Sequence, residues 1–125
     1  MSGILTKSIN KKGTPAQQRY AFCENFGKTI FKPGMSLLDI GCGDGAFSHM
    51  FRKIGYSIET ADIQDKAFPW KHQIINIDEQ APVGKFDVII FTQILEHVEN
   101  PEVAIENVLK CAKPSSIIVV SVPNF

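Results

Sequence analysis

From Ser36 onward the chain is built of short apolar runs separated by turn residues, the signature of buried strands rather than of long amphipathic helices. Ser36–Ile40, Ser57–Asp62, Gln73–Asp78, Phe86–Thr92 (FDVIIFT) and Ser115–Val122 (SSIIVVSV) are the five predicted strands. Between the first two, Ala46–Ile54 places Phe47, Met50, Phe51 and Ile54 along one side and predicts a helix. A second helix starts at Asn100 as cap with Pro101 in its first turn, runs to about Ala112 and is ended by Pro114. Upstream, Thr14, Pro15 and Gln17 form a capping-box pattern that opens a helix to about Ile30, stopped by Lys32-Pro33-Gly34. Tyr20, Cys23, Phe26 and Ile30 lie near one face of it. Residues 1–13 are polar and read as a loose arm, which leaves residues 14–125 as a single domain.

Strand and helix alternate, so the fold class is α/β, a doubly wound, Rossmann-like parallel sheet with an N-terminal helix. The fourth run, apolar throughout, fits a strand covered on both faces. Two links are too short for a full helix. Glu79–Lys85 must carry the chain from one edge of the sheet to its middle, a diagonal of about 22 Å. Seven extended residues reach roughly 23–25 Å, so an extended strap suffices.

Composition narrows the function. Thirteen basic residues balance thirteen acidic ones, so no global field draws in nucleic acid or an anionic membrane. The three cysteines are scattered and the three histidines dispersed, with neither a disulfide framework nor a zinc-ligand spacing. No apolar run approaches membrane-spanning length, and the N-terminus lacks the core of a signal peptide. A cytoplasmic protein without bound metal is expected.

The chemistry centres on Leu37-Leu38-Asp39-Ile40-Gly41-Cys42-Gly43-Asp44-Gly45, a strand-to-helix turn whose glycines let a ligand approach the backbone at a helix N-terminus. Gly41, Gly43 and Ala46 also satisfy the G-x-G-x-x-A pattern of dinucleotide sites, and Asp62, 21 positions after Gly41, could hold ribose hydroxyls in either case. Charge separates the readings. A pyrophosphate docked here would meet the carboxylates of Asp39 and Asp44, whereas S-adenosylmethionine (SAM) carries a sulfonium and an ammonium and no phosphate.

Asp39–Gly45 as D-x-G-x-G-x-G, Asp62 closing the second strand, and Phe86-Asp87-Val88-Ile89 leading to Glu96-His97-Val98 together resemble the class I SAM-dependent methyltransferases. The resemblance implies SAM as cofactor and a sheet order 3-2-1-4-5-7-6, of which strands 6 and 7 have no sequence in this chain. It implies that Asp39, Gly41, Cys42, Gly43 and Gly45 hold the methionyl part, with Cys42 contributing only backbone. Asp62 with Ile63 would bind the ribose side, and Ile77 with Asp78 would lie by the adenine. Gln93, with Thr92, sits where the fourth strand meets the crevice. A narrower similarity joins Asn76-Ile77-Asp78-Glu79, Thr92-Gln93-Ile94-Leu95, Asn100-Pro101-Glu102 and Ser121–Phe125 to the methionine-biosynthesis W-type proteins, which act as partners in homoserine acylation.

The expected function is methyl transfer from SAM to a small-molecule acceptor. His97, after the fourth strand, is the candidate general base for a protonated acceptor, against the plainer reading that Glu96-His97 packs a turn. Trp70 either covers a ligand or anchors its loop to the core. The alternatives are a non-catalytic SAM-fold interaction module and an NAD-binding domain. The apolar strand 115–122, left as a sheet edge, would be open to pairing with a second copy of the chain.

Overall fold

A computed structural model describes residues 3–6, 14–91 and 98–120 of the 125-residue chain. Its centre is a parallel six-stranded sheet: β1 (Gly3–Thr6), β2 (Ser36–Ile40), β3 (Ser57–Asp62), β4 (Lys71–Ile74), β5 (Phe86–Phe91) and β6 (Ala112–Val120). They lie in the order β1-β6-β5-β2-β3-β4. From β2 onward this is the expected 3-2-1-4-5 arrangement. The chain reverses direction across the sheet between β2 and β5, which opens a crevice at their carboxyl ends.

One face carries α1 (Pro15–Phe22), a π-helical turn (Cys23–Gly27), α2 (Lys28–Ile30) and α3 (Ala46–Ile54); the other carries α4 (Pro101–Leu109). The capping box forms as read: Thr14 Oγ1 accepts from the Gln17 amide at 3.2 Å, and Gln17 Oε1 accepts from the Thr14 amide at 2.8 Å. On the α3 face Leu37, Ile58, Val88, Ile90 and Val119 pack against Phe47, Phe51, Cys23 and Tyr56. On the α4 face Leu38, Ile40, Ile89, Phe91 and Ile118 meet Ala104, Val108 and Cys111. The two sets alternate along each strand, as a sheet buried on both sides requires.

The arm expected over residues 1–13 is in part a strand. Gly3–Thr6 pairs parallel with Ile117–Val120, so the β6 edge expected to await a second copy is covered by the chain's own N-terminal segment. The third expected strand also moves. Extended pairing runs over Lys71–Ile74, with Glu59 opposite Lys71 and Asp62 opposite Ile74, and the chain leaves the sheet before Ile75 and Ile77 turn into the core. Pro114 lies inside β6 rather than ending α4; α4 stops at Leu109, where Lys85 Nζ donates to the Lys110 carbonyl at 2.6 Å.

Neither short link contains a helix. The Glu79–Lys85 strap passes the β4 edge, where the Gln73 amide replaces a neighbouring strand: Nε2 donates to the Val83 carbonyl at 2.9 Å and Oε1 accepts from the Val83 amide at 2.8 Å. At the opposite end of the sheet from the crevice, Asp87 accepts from the Ser36 amide, the Ser36 hydroxyl and Lys113 Nζ. Those bonds, Lys113 foremost, hold its carboxyl below the usual carboxylate range. Asp87 is structural, as its place early in the strand suggests.

Candidate functional site

Beside that crevice, over the carboxyl ends of β2, β3 and β4, lies a cleft of about 510 Å³. Its glycine turn is built by three backbone conformations with positive φ: 75° at Gly41, 57° at Gly43 and 81° at Gly45. Gly41 N donates to the Ala61 carbonyl at 2.7 Å, so the turn is continuous with β3. The second and third glycines differ in purpose. A Cβ at Gly43 would meet nothing within 4 Å, the open approach a ligand needs, whereas one at Gly45 would lie 2.6 Å from Phe68 Cε1. Gly43 faces the cleft; Gly45 makes room for an aromatic ring of its own chain.

The acidic groups divide in the same way. Asp44 Oδ1 accepts from the Ala46 amide at 3.0 Å, placing a carboxylate at the N-terminus of α3 where a phosphate would otherwise sit. Asp39 lies beneath the turn, 3% exposed, with Ser48 Oγ donating to its Oδ2 at 2.7 Å. Burial pushes its carboxyl up to about 7, the Ser48 bond opposes the rise and the Asp62 charge adds to it. Asp39 therefore shapes the turn from below and does not line the cleft.

Asp62 does line it. Its Oδ2 accepts from the Gly43 amide at 3.1 Å and its Oδ1 from the Gln64 amide at 3.4 Å. This splints the rim to the glycine turn and leaves lone pairs on both oxygens. Ile63, 66% exposed, stands on the rim. Across the cleft, Ile77 is buried in the floor, and Asn107 Nδ2 donates to its carbonyl at 2.7 Å. The Asp78 carboxylate accepts from the Glu99 and Asn100 amides at 3.2 and 3.3 Å, tying this wall to the start of α4.

Of the residues expected at the cofactor, Gly41, Gly43, Asp62, Ile63, Ile77 and Asp78 converge on one cleft. Asp39, Cys42 and Gly45 support it from behind. The Cys42 sulfur is buried, 3.9 Å from Asp62 Oδ2, and its thiol is pushed up to about 12 by burial and then by the charges of Asp39 and Asp62; it is no nucleophile. Gln93 and His97, with Thr92 and Glu96, lie outside the described residues. Trp70 anchors its loop: its Nε1 donates to Thr60 Oγ1 at 3.0 Å, and its ring stacks on Phe68 and packs edge-on against His49 of α3. Sequence reasoning missed Gln64, Asn76 and Val98 on the cleft wall. Asn76 carried a signal, since its Oδ1 accepts from the Asp78 amide in the Asx turn that an Asn two residues ahead favours.

A family model described as "Methyltransferase domain" matches residues 16–125. Among curated proteins, the "Ubiquinone biosynthesis O-methyltransferase" of Rhizobium etli (strain CIAT 652) is 29% identical over 119 residues, covering 82% of this chain and 48% of that protein. The protein of the same name from Maricaulis maris (strain MCS10) is 29% identical over 126 residues, covering 85% and 48%. The chain thus spans about half the length of the curated relatives it matches. Among solved structures, the plantazolicin methyltransferase BpumL in complex with SAH superimposes with a TM-score of 0.69 at 24% identity, covering 86% of this chain and 48% of that one. The N-methyltransferase NodS from Bradyrhizobium japonicum WM9, in complex with S-adenosyl-L-homocysteine (SAH), gives 0.69 at 17% identity, covering 86% and 63%.

Proposed function

The chain belongs to the methyltransferase domain family, and on that premise we propose that its cleft holds SAM and serves methyl transfer to a small-molecule acceptor. One observation carries the choice of ligand. Asp62 and Asp78 face the cleft, the α3 N-terminus is taken by Asp44, and none of the described lining residues is Lys or Arg. A pyrophosphate finds no cation there and a carboxylate where it would dock, which disfavours NAD. A ligand with a sulfonium and an ammonium finds complementary charge.

The residues present fit that ligand. The open face of Gly43 admits the methionyl part against the backbone, and Asp62 receives the ribose hydroxyls on its remaining lone pairs. Ile77 in the floor lies by the adenine with Asp78, and the exposed Ile63 stands on the rim beside Asp62. The bound cofactor supplies an already activated methyl group, so the chain's share of the work is orientation and exclusion of water. The relatives' O-methyltransferase names favour a hydroxyl acceptor, for which His97 would take the proton.

Thermal unfolding with SAH or NAD added tests the ligand. A rise in Tm with SAH, at one hundred times Kd worth about 2.7 kcal/mol, and none with NAD is the expected result. No rise with SAH would overturn the reading. An acceptor screen with His97→Ala as control then tests transfer itself.

A further inference from the structure

Behind the cleft rim runs a chain of side-chain hydrogen bonds whose polarity is fixed at both ends. Trp70 Nε1 can only donate, and it does so to Thr60 Oγ1 at 3.0 Å. The Thr60 hydroxyl, fully buried, lies 2.7 Å from His72 Nδ1. His72 Nε2 lies 2.8 Å from the Gln64 carbonyl, which can only accept. For a neutral imidazole one assignment satisfies every member: Trp70 donates to Thr60, Thr60 to Nδ1, and the ring, protonated at Nε2, donates to Gln64. Stacking of Phe68 edge-on to the His72 ring, at 5.2 Å between centroids, holds the ring in that plane.

Gln64 is where this relay meets the cleft. Its carbonyl is held by His72 and its amide donates to Asp62 Oδ1, while Asp62 Oδ2 holds Gly43. We propose that His72 is a positioning residue for the cofactor, fixing through Gln64 the orientation in which Asp62 meets the ribose. The Nε2–H tautomer is the working form, and neither His72 nor Thr60 touches the ligand. The inference rests on the SAM reading of the cleft.

SAH and its 2′-deoxy analogue, titrated into the protein and its variants, separate this from general stability. His72→Phe keeps the ring contacts and removes both hydrogen bonds; we expect it to weaken SAH about three- to tenfold. The 2′-deoxy analogue, lacking a hydroxyl for Asp62, is expected to lose less than about twofold by the same reasoning. His72→Gln, which restores a donor toward the Gln64 carbonyl, brings SAH back to within about twofold of wild type. Unchanged SAH affinity in His72→Phe, equal losses for the two ligands, or a His72→Gln as weak as His72→Phe would each overturn the proposal. Nitrogen-15 NMR of the wild-type ring is the check that needs no variant to fold: the Nε2–H tautomer is expected, and the Nδ1–H tautomer would refute it. Wild-type protein that binds no SAH would instead sink the cofactor assignment.

Discussion

Replacing Asp39 by asparagine should make the protein more stable at neutral pH while weakening its hold on a cationic ligand. Asp39 is buried under the glycine turn with one neutral partner, Ser48 at 2.7 Å. Its carboxyl sits near 7, against 3.8 for the ordinary group. Below about pH 4 the group is protonated in folded and unfolded chains alike and has no effect. As pH rises from there to about 7, the unfolded chain releases the proton and the folded one keeps it, so stability falls. Above about 7 the folded carboxylate is charged and the full penalty stands, at most about 4 kcal/mol. Asparagine keeps an acceptor for Ser48 and carries no charge. Its unfolding free energy should therefore exceed that of the wild type by about 2–4 kcal/mol at pH 8, with the gap closing toward zero near pH 4. Urea titrations followed through the fluorescence of Trp70, the one tryptophan, measure this directly. SAH affinity in the variant should fall, since a negative charge behind the sulfonium site is lost. A gap that does not change with pH, or a variant less stable at pH 8, would refute the account of Asp39 as a strained charge.

The second and third glycines of the turn should fail differently when replaced by alanine. Gly45→Ala, at φ 81° and against Phe68, should lower stability by about 2–4 kcal/mol in thermal or urea unfolding. Gly43→Ala, at φ 57° with open space above it, should cost only about 1–2 kcal/mol yet remove measurable SAH binding by calorimetry. The cysteines should be nearly inert in the folded protein. Burial leads the causes that push Cys23 and Cys42 up to about 12 and Cys111 up to about 11. Alkylation by iodoacetamide near pH 8 should be slow until denaturant is added, and a fast-reacting thiol in the native state, located by mass spectrometry, would contradict the packing.

Features that depend on neighbours along the chain are legible in the sequence. The capping box at Thr14 and Gln17, the α3 boundaries at Ala46 and Ile54, and the glycine turn are local patterns, and the structure places them where the pattern does. Features that depend on partners far along the chain are not. Gly3–Thr6 is too short to show alternation, and its only mark as a strand is the β6 edge more than a hundred residues away. Lys71-His72-Gln73 read as polar because β4 is an edge strand; the apolar Ile75 and Ile77 beyond it draw the expected strand downstream. Asp39 reads in the sequence as a charge facing the ligand, but burial beneath the turn holds its proton to near neutrality. The relay through Thr60, His72 and Gln64 requires the parallel register that sets Thr60 beside His72, and a shifted strand hides it.

The π-helical turn at Cys23–Gly27 sets a rule about length. A helix advances about 100° per residue, and a wider turn accommodates one extra residue without rotating the helix beyond it. Here that extra residue lets Cys23 reach Met50 on one side of the turn, while on the other Gly27 presses on Phe51 and gives its carbonyl to Tyr56 at 2.6 Å. Deleting a single residue would let the segment relax to an ordinary helix and swing one of those two seams off α3. Relatives of this chain could vary freely in the solvent-facing letters of this helix, yet gaps in their alignment should avoid the stretch between Phe22 and Lys28.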